Sequence, residues 1–221
     1  MNTRKLRKTL LTLCSALLLV SLSVGMTVAY LTSSDSVTNT FTVGSVAITL
    51  DEAKVNLDGT YVTNVDNRVD ANEYKLMPGH TYIKDPTVTV EADSESSYIR
   101  MIVTINEIAA LKAACGVDAA DPFLPQYFVE GWDAAKWIST GVIGTPADDT
   151  CSYEFRYYTT VSTAEDAEME LEPLFTKFTM PGTASNDQLL ALEDLQIDIV
   201  AHAIQADGFA DAAAAWAAWP N

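Results

Sequence analysis

Hydrophobic and polar positions alternate along several short stretches of this chain, and Pro, Gly and Asp mark the breaks between them. The most regular stretch runs from Tyr98 to Asn106. Ile99, Met101, Val103 and Ile105 fall on one side; Tyr98, Arg100, Ile102, Thr104 and Asn106 fall on the other. A period of two predicts a strand, with the first set facing the core. Cys151 to Thr160 alternates similarly, with Cys151, Tyr153, Phe155 and Tyr157 opposing Ser152, Glu154, Arg156 and Tyr158. It predicts a strand with aromatic cross-strand pairs. Leu195 to Gln205 predicts a third, with Leu195, Ile197, Ile199, Ala201 and Ala203 on one face. Thr87 to Glu91, started by Pro86, and Leu174 to Met180, stopped by Pro181-Gly182, predict shorter strands.

The period changes in a few places. Glu107 to Cys115 is rich in helix formers and is followed by Gly116, a stop signal. Ser185 to Leu192 predicts a short helix capped by Ser185 or Asn186. Phe209 to Trp219 predicts an alanine-rich C-terminal helix with Trp216 and Trp219 three residues apart. Asn56 to Thr60 carries an Asp-Gly turn and predicts a hairpin, since glycine supplies the positive φ such turns need. Asp121 to Thr150 holds Pro122, Pro125, Gly131, Gly141, Gly144 and Pro146, and is expected to be irregular. Many short strands with few helices predict a mainly β fold, a sandwich or barrel.

The N-terminal region has a different logic. Arg4, Lys5, Arg7 and Lys8 precede an apolar run, Leu10 to Val24, and then the small residues before Tyr30. This is the pattern of a secretory signal peptide over residues 1–29, with cleavage between Ala29 and Tyr30. The apolar stretch is also long enough to span a membrane. The small residues and the polar segment that follows favour cleavage, so the membrane is expected to be met only during export. Residues 30–40 form a polar arm. Phe41 to Leu50 predicts a strand, with Phe41 and Val43 on one face and Val46, Ile48 and Leu50 in phase beyond Gly44-Ser45. A glycine with a phase slip suggests a bulge. The strand is either the first of a monomer or one able to pair with a neighbouring molecule.

The run AYLTSSDSVTNTFTVGSVAITL resembles the N-terminal segment of the TasA/CalY (camelysin) family of Gram-positive bacteria. LMPGHTYIKDPTVTVEADSESSYIRMIVTI, Leu76 to Ile105, and IDIVAHAIQADGF, Ile197 to Phe209, are similar to later segments of such proteins. The resemblance implies export through a SipW-type signal peptidase. It also implies a jelly-roll-like antiparallel β-sandwich over residues 41–221, with short helical insertions and a C-terminal helix. By the same resemblance, the function expected is that of a structural subunit of biofilm-matrix or cell-surface fibres. Assembly would proceed by donation of an N-terminal strand, with Phe41, Val43, Val46, Ile48 and Leu50 as its apolar residues. The alternatives are a camelysin-like metalloendopeptidase and a monomeric surface module presenting Trp132, Trp137, Trp216 and Trp219.

Charge and candidate chemistry narrow these classes. Four of the 13 Lys and Arg residues lie in the leader, so 9 remain against 30 acidic residues, a mature net charge of about −21. Such a chain does not bind nucleic acid on electrostatic grounds. Copies repel one another, so acid, salt or divalent cations should favour self-assembly. Of the three cysteines, Cys14 lies in the leader; Cys115 and Cys151 either form one disulfide or remain two thiols. The two histidines, His80 and His202, are far apart, and no H-E-x-x-H is present. Neither a nucleophile elbow nor a phosphate-cradling glycine motif occurs, so no catalytic residue, metal or cofactor is expected. Asp66, Asp70, Asn72 and Glu73 offer oxygen ligands but match no EF-hand spacing. The acidic run Ala164 to Glu172 reads as a solvated loop.

Overall fold

The computed structural model describes residues 7–15, 44–62, 67–118, 125–147 and 149–220. The chain divides into two compact units, Met1–Thr42 and Val43–Asn221. In the first, residues 7–15 are helical (α1). No helix among the described residues is long and apolar enough to cross a membrane. The expected cleavage site Ala29–Tyr30, the arm, Phe41 and Val43 lie outside the described residues.

The second unit is mainly β, as the alternation predicts. Its strands are β1 (Ile48–Ala53), β2 (Arg68–Val69), β3 (Thr81–Ile83), β4 (Thr87–Val90), β5 (Ser97–Ile105), β6 (Val129–Glu130), β7 (Trp137–Ala147), β8 (Thr150–Tyr157), β9 (Met169–Glu170), β10 (Lys177–Thr179) and β11 (Ile197–Gln205). They form three antiparallel sheets, in the orders β2-β1-β4-β9, β3-β10-β6 and β11-β5-β8-β7. Three short helices punctuate them: α2 (Ile108–Cys115), α3 (Asn186–Leu190) and α4 (Ala212–Ala217). α2 stops at Gly116, which is left-handed at φ 70°. Ser185 caps α3 in a reciprocal capping box with Gln188.

β5 is the centre of the core. Ile99, Met101, Val103 and Ile105 are at most 1% exposed, while Ile102 and Thr104 on the opposite face are half-buried. The expected inward face is therefore the observed one. Tyr153 and Phe155 of β8 pair with Val103 and Met101 and are equally buried. The Asn56–Thr60 hairpin is present, with Gly59 at φ 75° and Val55 bridged to Tyr61. A Cβ at Gly59 would also meet Tyr82 at 2.6 Å.

One expectation is corrected. The stretch from Asp121 to Thr150 contains β7, an eleven-residue strand. Its glycines and proline coexist with pairing because the ladder to β8 slips twice, between Ser139 and Gly141 and between Ile143 and Ala147. Gly141 takes φ 93° at the first slip, and Pro146 falls within the second, on an edge strand. Two other elements are shorter than expected: the strand over Leu174–Met180 pairs only at Lys177–Thr179, and the C-terminal helix covers only Ala212–Ala217.

Candidate functional site

Among the described residues, β1 and β11 are strands with unfinished edges. Glu91 donates its amide to the Ala47 carbonyl at 3.0 Å. Hydrogen-bonded pairs alternate along an antiparallel ladder, so Ala47, Thr49 and Asp51 bond to β4. The amides and carbonyls of Ile48 and Leu50 then point the other way. β2 occupies that side only from Glu52 onward, where Glu52 pairs with Val69 and Lys54 donates to the Asn67 carbonyl at 3.0 Å. On β11, Asn106 donates to Gln196 and Ala206 donates to Ser96. The same alternation commits Asp198, Val200, His202 and Ile204 to β5. Ile197, Ile199, Ala201 and Ala203 turn their backbone groups outward, where no described strand pairs with them.

The two edges border one cleft of about 940 Å³. Consecutive residues of both strands line it, Leu50-Asp51-Glu52 and Ile197-Asp198-Ile199-Val200. Both pleat faces of each strand are represented, so the cleft runs along the strand edges rather than over a face. Apolar side chains form its inner wall: Leu50, Tyr74, Leu76, Phe178, Leu192 and Ile199. Ile48, Leu50, Ile197 and Ile199 pack on the core yet remain half-buried. Asp70, Glu73, Glu193 and Asp198 make its remaining walls acidic.

A charged cluster sits at the β1 end. Lys84 donates to Glu52 at 2.6 Å, and the two side chains are only 8% and 5% exposed as residues. Asn72 donates to the other oxygen of Glu52 at 3.0 Å and to the Ala53 carbonyl at 2.9 Å. The Asn72 carbonyl accepts from the Val55 amide at 3.0 Å. Beside them, Arg68 bridges Asp51 and Asp85 and donates to both of their backbone carbonyls. Burial, with the charges of Glu52 and Asp85, pushes the Tyr74 phenol well up.

A second cluster covers the outer face of β5. Arg100 lies over the Trp216 ring at 4.3 Å, donates to His202 Nδ1 at 3.1 Å and to Glu154 at 3.2 Å. His202 stacks on Trp219 at 4.5 Å. Burial and the Arg100 charge push His202 down. Burial works to raise Glu154, but the hydrogen bonds from Arg156 and Thr140 outweigh it and hold the carboxyl below its usual range.

The residues singled out from the sequence are distributed as follows. Val46 precedes β1 and is half-buried; Ile48 and Leu50 pair with Val90 and Val88 in their own sheet. The latter two therefore form an edge of the cleft rather than a free segment. Gly44 passes so close to Glu95 that a Cβ would meet its side chain at 2.5 Å. Trp137 is fully buried with its indole donating to the Glu172 carbonyl, and Trp132 packs edge-on against Phe155. Trp137 belongs to the core, and half-buried Trp132 packs against it. Trp216 is 6% exposed beneath Arg100. Cys115 and Cys151 are free thiols, and burial pushes Cys115 up to about 11. His80 contacts the Asp58 carbonyl and the Tyr82 ring, far in sequence from His202. Among the described residues, no three His, Cys, Asp or Glu side chains converge as a metal-binding group. Of the oxygen-rich loop, Asp66 lies outside the described residues, and Asn72 is committed to Glu52, Ala53 and Val55.

The cleft and the Glu52–Asn72–Lys84 cluster were not read from the sequence. The signals available were a carboxylate and an amine placed within apolar runs, Glu52 after Ile48–Leu50 and Lys84 directly after Tyr82-Ile83. No protein-family model, no curated protein and no solved structure matches this chain.

Proposed function

We propose that this chain is an exported structural subunit that assembles head to tail, with an extended segment of one copy entering the β1/β11 cleft of the next. The observation that carries the reading is the pair of strand edges, unpaired among the described residues, that border one apolar-walled cleft. A cleft of this size would suit a small ligand too, but small-molecule pockets present a few converging polar side chains. Here Glu52, Asn72 and Lys84 satisfy one another, and the groups left unmet among the described residues are backbone amides and carbonyls in strand spacing, which another strand satisfies best. Filling the cleft would satisfy backbone groups along its strand edges and finish burying Leu50, Ile197 and Ile199.

The donated segment is residues 30–43, with Phe41 and Val43 as its apolar side chains. Ile48 and Leu50 hold β1 in its home sheet, so the donor ends before them. A contact between different surfaces of identical copies propagates into a filament rather than closing. The resemblance to TasA/CalY proteins supports this reading; it would go with a jelly-roll-like sandwich and with a filament in the extracellular matrix or at the cell surface. The acidic walls of the cleft and the net charge of the chain make assembly depend on screening.

The test compares the mature chain with one that begins at Gly44, by electron microscopy and light scattering in high salt. Filaments are expected from the mature chain, while the shortened chain stays monomeric with a cooperative melting transition. Filaments from the shortened chain would overturn donation by this segment.

A further inference from the structure

The Glu52–Asn72–Lys84 cluster holds an amine and a primary amide on the two oxygens of one buried carboxylate. Each part has a chemical counterpart. Lys84 Nζ lies 2.6 Å from Glu52 Oε2, placed to give up a proton and become a nucleophile. Asn72 Nδ2 lies 3.0 Å from Glu52 Oε1, placed to receive that proton as a leaving group. Asn72 Oδ1 accepts the Val55 amide at 3.0 Å, so a fixed dipole faces the oxygen on which negative charge would develop. The orientation of the amide is unambiguous. Turned over, its NH₂ would face the Val55 N–H, and its oxygen would face a carboxylate and the Ala53 carbonyl.

Burial adds a second argument. Isolating an ammonium and a carboxylate from water is unfavourable, and their attraction offsets it only in part. Moving one proton from Lys84 to Glu52 removes both charges and yields the reactive amine. Leu50, Tyr74 and Phe178 line the same cavity, and the Tyr74 ring lies 5.9 Å from Nζ. Water competes poorly in such surroundings, and the groups are held together by the fold itself.

We propose that Lys84 and Asn72 join in an intramolecular isopeptide bond, formed by the folded chain without a cofactor and with Glu52 as the proton carrier. Glu52 takes a proton from the Lys84 ammonium. Nζ must come within about 3–3.5 Å of Asn72 Cγ to attack it, forming the C–N bond while the carbonyl electrons move onto Oδ1 beside the Val55 amide. Glu52 then protonates Nδ2, the Cγ–Nδ2 bond breaks, and ammonia leaves. The second proton of Nζ returns to Glu52 and passes to the departing ammonia as ammonium. Nothing is oxidised or reduced. The product is a secondary amide linking the segment after β2 to the end of β3. It requires no assembly, so it stands apart from the strand-donation reading.

Mass spectrometry of the purified protein tests it directly. The bond removes the mass of one ammonia. Trypsin would cut after Arg68, Lys75 and Arg100 but not after Lys84. The expected product is a branched peptide joining Val69–Lys75 to Leu76–Arg100, lighter by one ammonia. Loss of ammonia without that branched peptide would indicate other asparagine chemistry and overturn the bond, as would separate, full-mass peptides from the folded wild type. Lys84→Arg keeps the ion pair and Glu52→Gln keeps the shape; both are expected to give unbranched peptides at full mass. A branched peptide from Glu52→Gln would remove Glu52 from its role as proton carrier.

Discussion

β5 and β11 carry the same alternation, lie side by side in one sheet, and end differently. β5 is paired on both sides, and its inward residues are almost inaccessible. Among the described residues β11 is paired on one side, and its inward residues Ile197 and Ile199 are only half-buried. Each strand shows which face turns inward. What the alternation does not show is whether the strand has a neighbour, because pairing is decided by segments distant in sequence. The difference between a completed strand and an uncompleted one is the basis for reading the cleft as a receptor site.

The largest effect should come from the completed strand. Val103→Asp buries an unpaired carboxylate at a position 1% exposed and should cost several kcal/mol. Thr104→Asp, on the half-buried face, should cost much less, although it loses the Thr104–Ser152 hydrogen bond at 2.9 Å. Thermal melts of the two variants check this, and equal transitions would contradict the assignment of faces.

Proline separates the two sides of β11 more finely. Val200 bonds to β5, so Val200→Pro removes a ladder donor and should lower the melting temperature clearly. The Ile199 amide faces the cleft, where proline is tolerated on an unpaired edge. Ile199→Pro should melt closer to wild type, allowing for some lost packing, yet fail to form filaments. If Ile199→Pro elongates normally in light scattering, β11 is not an acceptor edge.

The smallest effect concerns pH. His202 is depressed below 6.5 in the folded state, so the unfolded chain binds the extra proton. Its stabilising contribution is therefore present above pH 6.5 and is lost as pH falls through the folded value. Glu154, also depressed, acts in the same direction at lower pH, from its ordinary 4.5 downward. Melting temperature should fall on acidification, and His202→Gln, which can still accept from Arg100, should flatten the part beginning near pH 6.5. An unchanged profile in that variant would contradict the assignment. For the assembly proposed above, salt should therefore be a gentler trigger than acid, since it screens surface charge while the partly buried ion pairs of this cluster are screened much less.

Much of the fold was legible locally. The faces of β5, the Asn56–Thr60 turn, the stop at Gly116 and the cap at Ser185 each depend on a few neighbouring residues. β7 was missed because its two register slips accommodate Gly141 and Pro146, which taken alone argue against a strand. The cleft was not legible because its walls come from Leu50 and from Ile197–Val200, at opposite ends of the unit. The Glu52–Asn72–Lys84 cluster has no motif spacing; only the fold brings its members to one carboxylate.

Residue-resolved amide exchange, comparing monomer with filament, tests the central claim most directly. Asp198 and Val200 already bond to β5 and should be protected in both states. Ile48, Leu50, Ile197 and Ile199 should exchange rapidly in the monomer and become protected in the filament. Filaments in which those four amides stay as fast as in the monomer would show that no strand enters the cleft.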